Sequence, residues 1–338
     1  MEVEQWSIDY APSVHGALQE RAGQVDYTVA EKSFGELLNT DCLDTHVQSR
    51  PRSLRLFEEG MEQALVASYE VTTGRDSATD GSAHRFLQRV LYRINRLKLF
   101  WFDDLLNYQN EDSCYLHRIR RRIEETWQAW ELTLAEIEPL HRDHACEALL
   151  RRAACDLAPA PSAHGLYFRN TMTEVGYRCL LAIAALDGMV EASQLSRTLG
   201  GVSNEIHSMM TRLLVEEYGG GRINRKHSTF FKAMLSELGM RTEPEAYFDL
   251  VPWEALAGIY HSFLLSERKQ LYLRYVGGLL YTEISVPAAF DNYRAAAERL
   301  LMSKAARGYW ELHINEDKRH GHWMLHDVAL PLVAKYPA

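Results

Sequence analysis

Apolar residues recur three and four apart along most of the chain, and strict alternation bounded by turn residues is scarce. The clearest stripe, Phe86, Val90, Ile94, Leu97, Trp101 and Leu105, predicts a helix over Arg85–Tyr108. A second, Ile119, Ile123, Trp127, Trp130 and Leu134, predicts a helix over Leu116–Ile137. Ser53–Tyr69 reads as a helix before them, and Thr72–Ser82 (TTGRDSATDGS) as a mobile loop. Residues 157–164, LAPAPSAH, hold two prolines among small residues, which end helices and suit a linker. The expected architecture is therefore all-α, with a helical domain over residues 1–156 and a second helical domain over 165–338. The Trp- and Phe-rich stripes of the first domain ask for more packing surface than three helices easily supply, which points to a homodimer.

Composition narrows the function. Lys plus Arg number 37 against 46 Asp plus Glu, a formal charge of −9, which argues against a general binder of nucleic acid or membrane surfaces. The longest apolar run, Cys179–Leu186, falls far short of the roughly 20 residues that span a bilayer. The opening MEVEQWSIDY lacks the basic-then-apolar pattern of a signal peptide. Five cysteines, with no CxxC pair, fit a reducing cytoplasm and offer no disulfide or zinc-ribbon framework. Gly219–Gly221 follows a helical pattern rather than a strand and is not trailed by GK[ST], so it is not a phosphate loop. The basic run Arg118, Arg120, Arg121 and Arg122 reads as a solvated helix face, because Arg120–Glu124 and Arg121–Glu125 are i,i+4 pairs.

The chemistry lies in the second half. On a helix turning about 100° per residue, Asp317 lies roughly 40° to one side of His313 and His320 roughly 20° to the other. Two imidazoles and a carboxylate on one stripe suit iron, manganese or zinc. His322 and His326 fall on the opposite face and read as surface residues, while Glu316 is a weaker competitor for the place of Asp317. Glu191, Glu217 and Glu283 each sit on an otherwise apolar face, and a carboxylate there is costly unless paired or bound to a cation. His227 lies against Phe230, Phe231 and Met234. Glu216, four residues after Arg212, reads as half of a surface ion pair. In one continuous helix Glu217 and His227 would diverge by about 80°. A break or bulge at Gly219–Gly221 would bring them together, although a plain turn between two helices is the simpler use of those glycines. Tyr177, Arg222, Arg274, Tyr275, Tyr281 and Trp310 could line a pocket or serve only packing.

Val215-Glu-Glu-Tyr-Gly-Gly-Gly followed by Lys226-His-Ser-Thr-Phe-Phe, then Arg274-Tyr-Val-Gly-Gly-Leu-Leu-Tyr-Thr-Glu283, then His313-x3-Asp317-x2-His320, resembles the haem-oxygenase-like di-iron oxidases from about residue 165 to 335. The resemblance implies a haem-oxygenase-like helical bundle preceded by a helical dimerisation domain. It further implies that Glu191, Glu217, His227, Glu283, His313, Asp317 and His320 are the ligands of two iron ions, with no catalytic group beyond them. The activity implied is an O₂-dependent N-oxygenase. It would hydroxylate an amine or guanidine nitrogen of a small amino-acid-derived or aminoheterocyclic substrate, or carry it on to nitro, in natural-product biosynthesis. Each N-oxygenation needs two electrons. No flavin or nicotinamide motif is visible, so an external reductant is expected. Some members continue into a cupin domain that rearranges the hydroxylated product; only 18 residues follow His320 here, so that rearrangement is not expected of this chain. Cleavage of a C–C bond in an amino or fatty acid on the same site is the alternative. A helical metal-binding or interaction protein without turnover is the reading from another class.

Overall fold

A computed structural model describes residues 26–69, 81–99, 108–135, 144–190, 192–200, 204–243 and 245–336. Among them the structure is helical, with no β-strand. The helices are α1 (Tyr27–Leu38), α2 (Leu43–His46), α3 (Arg52–Tyr69), α4 (Gly81–Arg96), α5 (Cys114–Leu134), α6 (Ala145–Leu157) and α7 (Ala163–Asn170). They continue with α8 (Glu174–Gly188), α9 (Glu205–Glu217), α10 (His227–Glu237), α11 (Trp253–Ser266), α12 (Tyr272–Arg299), α13 (Gly308–Trp323) and α14 (Leu330–Lys335). None of the described helices is long and apolar enough to cross a membrane.

The described residues divide into two compact units, one taking those up to Val90 with 109–126, the other 91–108 with 127 onward. In the first unit α1 packs on α3, with Phe34 stacked on Phe57 at 4.6 Å between ring centroids. Asp44 opens α5 by accepting hydrogen bonds from the backbone N–H groups of Cys114 and Tyr115, both at 2.8 Å. Burial would raise its carboxyl, but these bonds and one from Ser113 outweigh it and hold the group below the usual carboxylate range.

The predicted helices at Ser53–Tyr69 and Leu116–Ile137 correspond to α3 and α5. Phe86, Val90, Ile94, Ile119, Ile123 and Trp127 are all buried within the single chain. Two expectations need correction. The stripe begun at Phe86 does not continue as helix to Tyr108: α4 ends at Arg96, whose guanidinium turns to the carbonyl of Leu99 and to Glu245, both at 3.3 Å. Nor is the whole basic run solvated. Arg121 and Glu125 are exposed, but Arg120 and Glu124 pair at 2.7 Å while buried, because i,i+4 spacing fixes the partner and not the side of the helix. Trp101, Leu105, Ile137 and residues 72–80 of the expected loop lie outside the described residues.

In the second unit, α12 packs against α6, α7, α11 and α13. Ala153 of α6 enters one core with Met210, Leu213, Leu280, Ile284, Met324 and Val328. That unit thus takes in chain on both sides of residues 157–164. A second core gathers Tyr177, Leu181, Phe231, Met234, Tyr309 and Trp310. Both cores stand on the helices that carry the candidate ligands.

Candidate metal centre

Met210 and Leu213 are buried on α9, and the same stripe carries Glu217, the last residue of that helix, into the interior. The chain then reverses through Gly219, Gly220 and Gly221, at φ of 60°, 63° and 78°, and re-enters helix at His227. Only glycine adopts this left-handed run without strain. At Gly219 it has no substitute, because a Cβ there would lie 2.4 Å from the carbonyl carbon of Arg225. The reversal sets His227 Nδ1 2.8 Å from Glu217 Oε2, as a broken helix at the glycines predicts.

Helix α12 contributes Glu283, buried beside Val276, Leu280 and Ile284. Pro287, four residues on, offers no N–H to the Glu283 carbonyl. Helix α13 crosses closely here: a Cβ on Gly321 would come within 3.2 Å of that carbonyl oxygen and 2.9 Å of the Ile284 side chain. On α13, His313, Asp317 and His320 are buried on one face. His322 and His326 are exposed, and Glu316 is half-buried and paired with Arg319. The helical phase therefore separates these residues as the sequence predicts.

Two clusters result, and they share one carboxylate. In the first, Glu217, His227 and His313 converge, with His227 Nδ1 and His313 Nε2 3.2 Å apart. His313 Nδ1 lies 3.0 Å from the carbonyl of Tyr309, which assigns its proton there and turns the Nε2 lone pair inward. In the second, His320 Nδ1 faces Glu217 Oε1 at 3.4 Å, Glu283 Oε2 at 3.3 Å and Asp317 Oδ1 at 3.8 Å. Glu217 thus directs Oε2 to one cluster and Oε1 to the other. Asp317 Oδ1 and His320 Nδ1 are buried without a hydrogen-bond partner. Buried polar atoms left in this way and aimed at one point suit a cation. The donors, imidazole nitrogen and carboxylate oxygen, suit iron.

The electrostatics express the same crowding. Burial and the neighbouring carboxylates of Glu283 and Glu217 push the Asp317 carboxyl up to about 9. Burial raises Glu283 as well. Burial would raise Glu217 too, but the His227 and His320 imidazoles beside it override this and hold the carboxyl well below the usual range. Burial would lower His320, but the Glu217 and Glu283 carboxylates that face its ring carry it up to about 11.

A pH dependence follows. The folded chain binds its proton more tightly than the unfolded chain at both Asp317 and His320. Their stabilisation is complete below the unfolded values, about 4 and about 6.5, and is lost as pH rises toward the folded ones. Glu217 contributes a constant amount across this window, since its shift is downward. The melting temperature of metal-free protein is expected to fall between about pH 6 and pH 9, and that of metal-loaded protein to fall less, because the cation replaces the protons. A metal-free melting temperature that holds or rises over that range contradicts the charge assignment.

Six of the seven expected ligand residues come together; Glu191 lies outside the described residues. Of the other residues singled out, Tyr177 and Trp310 are packing: the indole N–H donates to the Tyr177 hydroxyl at 2.7 Å, which lies 3.1 Å from the carbonyl of Ala306. Arg274 bonds Gln128, Tyr275 is buried, and Arg222 and Tyr281 are exposed. The ion pair expected of Glu216 is present but is not its only contact. The carboxylate reaches Arg212, at 3.6 Å, but Oε2 also accepts from His320 Nε2 at 3.1 Å and from Arg319 at 2.5 Å. No local spacing announces a partner on a helix about a hundred residues on.

Among the described residues, this all-helical unit gathers buried imidazoles and carboxylates into groups that could hold metal ions. Residues 178–338 match the model of a haem-oxygenase-like family described as iron-containing redox enzymes. Over 156 residues, 46% of the chain, the sequence is 29% identical to nitrosourea synthase of Streptomyces achromogenes subsp. streptozoticus. The match covers 33% of that protein, so it spans about a third of the relative's length.

Proposed function

We propose that the chain is a non-haem di-iron oxygenase acting on nitrogen, whose two ions would be held by the two clusters that have Glu217 in common. The observation that carries this reading is the direction of the two Glu217 oxygens, one to each buried cluster. His227, His313 and Glu217 Oε2 would hold one iron. His320, Asp317, Glu283 and Glu217 Oε1 would hold the other, and Glu191 is the proposed seventh ligand. Bound there, a ferrous pair supplies the two-electron reduction of O₂ that no side chain can perform.

The protein's own residues do the rest. Their carboxylates offset the charge of two divalent ions, and Tyr309 fixes the His313 tautomer. The rings of Phe290 and Tyr309 pack against the His313 ring, at 5.4 Å and 4.4 Å between centroids.

The choice of nitrogen rests on the relative, whose name records a product oxygenated on nitrogen. We propose an amine or guanidine of a small amino-acid-derived or aminoheterocyclic substrate, with an external electron donor. The test is product mass spectrometry under labelled O₂, with arginine, lysine and aminoimidazole as the substrate panel. Label bonded to nitrogen is the expected result. Loss of carbon or formation of an alkene, with nitrogen unlabelled, would instead make the chain a C–C-cleaving oxidase.

Variants on α13 test the ligand assignment separately. His313→Ala and His320→Ala are each expected to abolish turnover and to lose at least one metal equivalent. His322→Ala and His326→Ala, on the exposed face, are expected to change neither. Loss of metal from His322→Ala, measured by elemental analysis, refutes the assignment by face.

A further inference from the structure

We propose that Glu216 is a positioning residue that sets the ring orientation of His320 and thereby tightens one of the two metal sites; this rests on the di-iron reading above. His313 and His320 stand on the same face of α13 but are anchored differently. His313 is held by a carbonyl of its own helix, four residues back. His320 has no such bond. Its Nε2 lies 3.1 Å from Glu216 Oε2, which comes from the end of α9, and its Nδ1 points to Glu217, Glu283 and Asp317. With Nε2–H donated outward, the Nδ1 lone pair is the one left for a cation, and rotation of the ring about its stem would break the Glu216 bond.

Glu216 is itself held in place. Arg319 donates to Glu216 Oε2 at 2.5 Å and also pairs with Glu316. Arg212 approaches Glu216 Oε1 at 3.6 Å. Both guanidiniums lie against the Trp323 ring, at 4.0 Å and 5.2 Å from its centroid.

Glu216, Glu316 and His320 are close enough to suggest a third cation site. The guanidinium of Arg319 already supplies the positive charge between those two carboxylates, so the group works as a clamp on the imidazole. Adjacent residues of α9 thus serve in tandem, with Glu217 facing the ions and Glu216 orienting a ligand from behind. A carboxylate behind a ligating imidazole fixes its tautomer and raises its basicity, and removing it costs about 10–100-fold in metal affinity.

The test is anaerobic titration of the full chain with Fe(II) against a competing chelator. Wild-type protein is expected to bind two equivalents. Glu216→Ala is expected to weaken one of them by about 10–100-fold and leave the other unchanged. Glu216→Gln, whose amide oxygen still accepts the Nε2–H, is expected to restore that equivalent to within a few-fold. A merely structural role would loosen both equivalents together and would not be rescued by Gln. Should Glu216→Ala fail to fold by circular dichroism, Arg319→Met carries the test, with a smaller loss expected at one equivalent only. Unchanged or uniform binding in these variants overturns this inference alone. A wild-type chain binding fewer than two ions overturns the di-iron reading and this inference with it.

Discussion

Glu217→Ala is expected to cost the protein both metal ions, where loss of any other described ligand costs chiefly one. Its Oε2 lies 2.8 Å from His227 Nδ1 and its Oε1 3.4 Å from His320 Nδ1, so one truncation opens both clusters. The remaining charge balance fails as well. Glu217 is the carboxyl held well below the usual range, whereas Asp317 is pushed up to about 9 and Glu283 is raised. Without Glu217, the group that most readily stays ionised in the site is gone. Iron content measured after anaerobic loading should drop toward zero, and turnover should fall below detection. Two buried imidazoles also lose the carboxylate that faces them, so the variant should be destabilised by about 3–5 kcal/mol, the usual effect of breaking a buried pair. A Glu217→Ala protein that keeps one full equivalent of iron would show that the two clusters are independent.

The second large effect is expected at Gly219, which touches no ligand. Gly219→Ala places a methyl 2.4 Å from the Arg225 carbonyl carbon in a residue at φ 60°. The left-handed backbone costs about 1–2 kcal/mol and the backbone clash about 1–3 more. Relief requires Arg225 to move, and His227 is two residues on. The expected outcome is a loss of about 3–4 kcal/mol in denaturant unfolding together with loss of metal from the first cluster. Gly220→Ala is the control. Its φ is 63°, but a Cβ there meets nothing within 4 Å, so only the left-handed cost of about 1–2 kcal/mol is expected, with metal binding retained. Equal behaviour of the two variants would mean that close packing of this reversal does not set the His227 position.

How much of this was legible in the sequence depends on the range of the interaction. The face of α13 was legible, because His313, Asp317 and His320 obey a helical period that His322 and His326 break. Glu217 could be told from Glu216 as a candidate because it continues the stripe of Met210 and Leu213. The glycine triplet pointed either to a break that reunites Glu217 with His227 or to a plain turn between two helices, and the sequence alone did not choose between them. Glu216 could be read only in part. Its local partner Arg212 was visible, whereas His320 and Arg319 reach it only when α9 and α13 pack. The end of α4 was hidden for the same kind of reason. The apolar period runs on past Arg96, and a tertiary bond to Glu245 marks where the helix stops. The Arg120–Glu124 pair shows the limit of charge patterning, which names partners but not burial.

The central claim is that one chain holds a pair of ions across Glu217. Mössbauer spectroscopy of protein loaded anaerobically with ⁵⁷Fe(II) and then exposed to O₂ tests it most directly. Two ferrous ions per chain that convert together into a magnetically coupled, EPR-silent ferric pair are the expected result. A single ion per chain, or iron that oxidises to the EPR signal of isolated high-spin ferric centres, would contradict it.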